Sequence, residues 1–116
     1  MRMTTILSVG LGAMFSLVAA AQADAPPYTV STSGGNLVVT AGTGYHINTE
    51  YPWKVIDSST PPNTLADKSK FTITTGSATL NGAPKGSNTL KGAYCSVTST
   101  GAVGACTPFA TPITVP

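Results

Sequence analysis

Cys95 and Cys106 are the only two thiols in this 116-residue chain, and the ten residues between them include Gly101 and Gly104. Two chemistries fit such a pair. The simpler is a structural disulfide between adjacent strands joined by a flexible hairpin loop, since neighbouring strands bring Cα atoms into the bridgeable range. In the chain-entropy model a ring of this size adds about 3 kcal/mol of stability. The other is an exchangeable dithiol, which needs an accessible sulfur and a thiolate of lowered pKa. The pair is not a C-x-x-C, and neither cysteine has a His or Lys next to it in the sequence. Two cysteines are too few for structural zinc, which takes four ligands.

The second chemically dense segment is Gly44-Tyr45-His46-Ile47-Asn48-Thr49-Glu50-Tyr51-Pro52-Trp53-Lys54. It holds the only histidine, the only tryptophan and two of the four tyrosines. Strand alternation puts Tyr45 and Ile47 on one face and His46 and Asn48 on the other. One reading places Ile47 and Trp53 in the core, with His46 and Asn48 hydrogen-bonding a neighbouring loop. The functional reading is a binding face of Tyr45, His46, Asn48, Tyr51 and Trp53. A metal at His46 would need partners, and there is no second histidine. No G-x-S-x-G surrounds any serine. No catalytic residue is assigned outside the cysteine pair, and no metal or cofactor is implied.

These residues belong to a chain that opens like an exported protein. Arg2 is the only charge before Asp24, residues 6–21 are apolar or small, and Ala21-Gln22-Ala23 matches a signal-peptidase site. The apolar run is shorter than the ~20 residues a spanning helix needs. The expected organisation is a signal peptide over 1–23 and a single domain over 24–116, without stable membrane insertion after cleavage. Export to the periplasm or the outside favours disulfide formation.

Charged residues make up 9% of the chain, well below the ~25% of typical soluble domains. Beyond the signal, Lys54, Lys68, Lys70, Lys85 and Lys91 stand against Asp24, Glu50, Asp57 and Asp67. That balance is too small and dispersed for a phosphate-tracking surface, which argues against nucleic acid as a partner. The expected partner is a protein or a cell-envelope component.

The remaining elements are β. Tyr28 to Ser33 and Asn36 to Ala41 flank Gly34-Gly35, a two-residue hairpin signal. Trp53 to Ile56, Phe71 to Thr75 and Leu90 to Val97 also read as strands, with short candidates at Ala78 to Leu80 and Ile113 to Val115. Leu65 to Lys70 reads as a connection, and Pro84 to Asn88 as a loop. No segment sustains a 3.6-residue period. Short strands with turn signals every ~8–12 residues predict an all-β, immunoglobulin-like sandwich of about seven strands.

The Gly44–Lys54 run, together with Tyr94-Cys95, the second cysteine and Thr107-Pro108 behind it, resembles small exported bacterial domains. These are similar to the N-terminal periplasmic domain of the DsbD family of thiol:disulfide interchange proteins. The resemblance implies an immunoglobulin-like fold with two cysteines near its last strands, and electron relay to periplasmic partners. Cys95 and Cys106 would then occupy the redox positions. The leading expectation is a non-enzymatic exported binding or accessory protein with one structural disulfide. The alternative is a periplasmic thiol–disulfide exchange module using Cys95 and Cys106.

Overall fold

The computed structural model describes residues 26–116, so the signal peptide expected over 1–23 lies outside the described residues. Nine strands follow in order: β1 (Tyr28–Ser31), β2 (Leu37–Ala41), β3 (Tyr45–Ile47), β4 (Lys54–Ile56), β5 (Thr64–Ala66), β6 (Phe71–Ile73), β7 (Ser77–Leu80), β8 (Gly86–Val97) and β9 (Val103–Val115). They form two antiparallel sheets. One has the order β1-β2-β7-β6; in the other, β8 is flanked by β3 and β4 along one edge and β9 along the opposite edge, with β5 outside β4. The chain is an all-β sandwich. Leu37, Val39, Ala78, Leu80 and Phe71 from the first sheet meet Ile47, Val55, Leu90, Ile113 and Val115 from the second in one buried cluster.

The strand count exceeds the expected seven for local reasons. β5 is a three-residue edge strand whose Leu65 stays exposed, so it carries no alternating signature. β8 and β9 run for 12 and 13 residues, through the segment around Pro84 to Asn88 expected to loop and past Pro108 and Pro112. The Gly34-Gly35 hairpin exists, with Tyr28 opposite Ala41 and Ser31 opposite Val38. Its connection is not a two-residue turn, however, but a longer loop containing a 3-10 turn at Ser33–Gly35. That loop docks the β7–β8 connection: Ala83 N–H donates to Gly35 O (2.9 Å) and Gly82 N–H to Asn36 Oδ1 (3.0 Å).

β3 and β4 are two halves of one broken strand. Ile47 faces Tyr94 and Lys54 faces Lys91, so the six residues from Asn48 to Trp53 span a gap that Gly92 and Ala93 alone cover on β8. The surplus loops out and returns Trp53 to the core, where it is 1% exposed. Its indole lies where a Gly92 side chain would be, and a Cβ there would overlap the ring. Trp53 Nε1–H donates to Asn48 O (2.8 Å), closing the loop on itself. Phe109 meets the indole edge-on with centroids 5.7 Å apart, and Phe71 reaches it from the other sheet at 6.0 Å.

Backbone direction explains the prolines of β9. Val97 N–H donates to Gly44 O and Asn48 N–H to Ala93 O, so odd-numbered residues of β8 turn their backbone groups toward β3. Tyr94, Gly92, Leu90 and Asn88 therefore turn theirs toward β9, opposite Thr107, Phe109, Thr111 and Ile113. The alternate residues of β9, Pro108 and Pro112 among them, direct their backbone outward along the open edge. A proline there removes no ladder bond and deletes a donor that another strand would need.

Two outcomes are expected. Gly92→Ala should destabilise the protein by about 1–3 kcal/mol through overpacking against Trp53, lowering Tm by roughly 4–8 °C per kcal/mol for a domain of this size; thermal unfolding checks it. The double variant Pro108→Thr, Pro112→Thr should keep the fold but self-associate at concentrations where the parent protein does not, as read by sedimentation velocity.

Candidate functional site

Antiparallel register sets three reactive side chains in a row. His46 on β3 is the Cα partner of Cys95 on β8, and Cys95 is the Cα partner of Cys106 on β9. Directly opposed residues share a face of the sheet. The inward face carries Ile47, Leu90, Ile113 and Val115. His46, Cys95 and Cys106 have the opposite parity, so they sit on the face turned away from the core. The two cysteines form a disulfide, with Cα atoms 3.9 Å apart. Their backbone groups point away from each other, which is the close, non-hydrogen-bonded type of antiparallel pair.

The two cysteines are not equivalent. Cys95 is 4% exposed, whereas Cys106 on the outer strand is exposed. Both line a cleft of about 280 Å³. One wall is the end of β3 and the start of the looped-out segment, His46 to Glu50. Thr75, from the turn between β6 and β7, and Val103, at the base of the β8–β9 hairpin tip, complete it. Ile47 N–H donates to Thr75 O (2.8 Å), which ties that turn of the first sheet to β3 of the second. Val103 is 60% exposed and gives the cleft an apolar rim. Asn48 Oδ1 accepts the Glu50 N–H (3.0 Å), which shapes the wall.

Charge around the cleft is sparse. Glu50 is the carboxylate among its lining residues. Lys54 and Lys91 oppose each other on the same sheet face, four residues along β8 from Cys95. The strongest carboxylate perturbation lies elsewhere. The Asn63 backbone N–H and side-chain amide, with the Ser59 N–H, hold the Asp57 carboxyl down at about 2. These bonds pin the exposed loop between β4 and β5 (Asn63 N–H to Oδ1, 2.8 Å; Asn63 Nδ2–H to Oδ2, 2.9 Å). The Ser69 hydroxyl likewise lowers Asp67, which caps the 3-10 turn Lys68–Lys70. Both are local turn anchors and neither lines the cleft.

The expected binding face Tyr45, His46, Asn48, Tyr51 and Trp53 does not form one surface. His46 and Asn48 reach the cleft. Tyr45 faces the other way and packs edge-on against Tyr94, with centroids 5.5 Å apart. Tyr51 is partly buried against the core cluster. Trp53 is buried within it, so its ring is withdrawn from any ligand. Sequence reasoning missed Glu50, Thr75 and Val103 as cleft residues, along with the placement of His46 beside Cys95. Only Val103 left a local trace, an apolar residue in a glycine-rich turn.

Among the described residues no group of three or more His, Cys, Asp or Glu could hold a metal ion, and no helix is long and apolar enough to cross a membrane. What the row can do chemically is thiol–disulfide exchange. In such a reaction the exposed Cys106 would be the cysteine an incoming thiolate meets, with Cys95 as the leaving side. In single-cysteine variants, the Cys106 thiol of Cys95→Ser should react with a bulky aromatic disulfide reagent on the order of tenfold or more faster than the Cys95 thiol of Cys106→Ser; stopped-flow absorbance measures both rates. No protein family, curated protein or solved structure matches this chain.

Proposed function

We propose that the protein is an exported thiol–disulfide exchange module, periplasmic or secreted, working through the Cys95–Cys106 couple. The observation that carries this reading is the asymmetry of the disulfide: Cys106 is exposed at the mouth of a cleft, while Cys95 is covered beside His46. Position supports it too. The bond joins two neighbouring strands of one sheet on the face away from the core, and the hydrogen-bonded ladder from Gly86–Val115 to Tyr94–Thr107 already aligns those strands. A staple holding a sandwich together is more useful between layers, as in antibody domains. The resemblance to the DsbD N-terminal domain, with its immunoglobulin-like plan and paired cysteines, points the same way.

A second reading is favoured by the burial of Cys95. Here the disulfide is structural, and the protein is a binding or accessory protein that presents the cleft and its Val103 rim to a protein or cell-envelope component.

The test is the reduction potential of the couple in the protein freed of residues 1–23, by glutathione-buffer titration with thiol trapping. The exchange reading expects a value of roughly −120 to −230 mV, in the range of exchange proteins. A value below about −300 mV marks a structural bond and overturns it in favour of the second reading.

A further inference from the structure

We infer that His46 is the proton donor to the leaving sulfur of Cys95 when the disulfide is opened. The inference rests on the exchange reading, and it is carried by the register. His46 is the only histidine of the chain, and β3 sets it directly opposite Cys95, on the same sheet face and in the same cleft. Cys106 lies directly opposite Cys95 on the other side. The buried Cys95 thus has its disulfide partner on one flank and His46 on the other. A thiolate expelled into a covered position lacks the water that would stabilise it. An adjacent imidazolium supplies the missing charge and proton.

The step balances with a donor dithiol as the co-reactant. A thiolate of the donor attacks Cys106 Sγ. The Cys95–Cys106 bond breaks, its electron pair leaves on Cys95 Sγ, and that sulfur takes a proton from the His46 imidazolium. The donor's second thiolate then attacks the donor sulfur of the mixed disulfide and releases Cys106 as a thiolate. The donor is oxidised to its disulfide by two electrons, the Cys106 thiolate takes a proton from water to complete the dithiol, and His46 regains its own proton from water.

Few other charged groups face this position. On its own segment, Glu50 shares the cleft. On β8, Lys91 lies on the same face four residues from Cys95, with Lys54 opposite it on β4. Thr75 and Val103, which reach the cleft from the β6–β7 turn and β9, carry no charge. Imidazole is the ordinary side chain that changes charge between roughly pH 5 and 8.

The experiment is the rate of disulfide opening by dithiothreitol, expressed per thiolate, across that pH range. It compares the protein freed of residues 1–23 with His46→Gln and Glu50→Gln. In the parent protein the rate per thiolate should fall about tenfold as pH rises and the imidazolium is lost. His46→Gln should be flat and match the parent's high-pH limit, while Glu50→Gln should keep the fall. The glutathione equilibrium constant for forming the dithiol should be unchanged in His46→Gln at low pH, because a donor that recovers its proton from water alters the rate and not the equilibrium. A flat parent profile, a His46→Gln profile that still falls, or loss of the fall in Glu50→Gln overturns the inference while leaving exchange intact. A parent disulfide inert to both reductants removes the exchange reading and this inference with it. Should His46→Gln fail to fold, the parent profile together with His46→Asn decides.

Discussion

The packing of Trp53 onto Gly92 is the constraint from which the rest of this structure follows. An indole is among the largest side chains a small core can hold, and β8 makes room for it with the one residue that has no side chain. To bring Trp53 there, the strand beside β8 must break, and six residues must cross a gap two residues wide. The bond from Trp53 Nε1–H to Asn48 O then fixes the crossing. The wall of the cleft is the first half of that same excursion. His46 keeps its rung opposite Cys95 because the break begins just after Ile47, not before it. A core contact therefore sets the site geometry, although the ring itself never touches the cleft.

How much of this was legible in the sequence depends on the range of the signal. The all-β class and the alternation of β2, β7 and the start of β8 follow from residue types within a few positions of each other. The pairing of Cys95 with Cys106 is also local, because a hairpin is the shortest way to bring such a spacing together. His46 beside Cys95 is different: the two are 49 positions apart, and only the register of β3 on β8 joins them. The prolines of β9 mislead in the opposite direction. Pro108 and Pro112 argue against a strand until the strand is known to lie at an edge with those positions turned outward. The grouping of Tyr45, Tyr51 and Trp53 failed for a related reason. Neighbours in sequence need not share a surface, and here Tyr45 packs on Tyr94, Tyr51 rests against the core and Trp53 lies within it.

Electrostatics contribute little to this architecture, as the low charge content implies. Where carboxylates are held tightly, as at Asp57 and Asp67, the partners are backbone amides and hydroxyls within the same turn. Turn geometry is thus fixed by short-range hydrogen bonds, and the layers are held by apolar contacts. The cleft is left with few charges beyond Glu50 and, when protonated, the imidazole.

The disulfide lies outside the network that holds the two layers together, since no cysteine belongs to the buried cluster spanning them. The ladder below Cys95 and Cys106, from Gly86–Val115 to Tyr94–Thr107, aligns the same two strands without it. An oxidised and a reduced form would then share one scaffold and differ by the ring's contribution to stability, about 3 kcal/mol in the chain-entropy model. What changes between them is the freedom of the hairpin end beyond the two sulfurs, the stretch that carries Val103. The cost of opening the bond would fall on that one hairpin end, the ring of chain that the two sulfurs close.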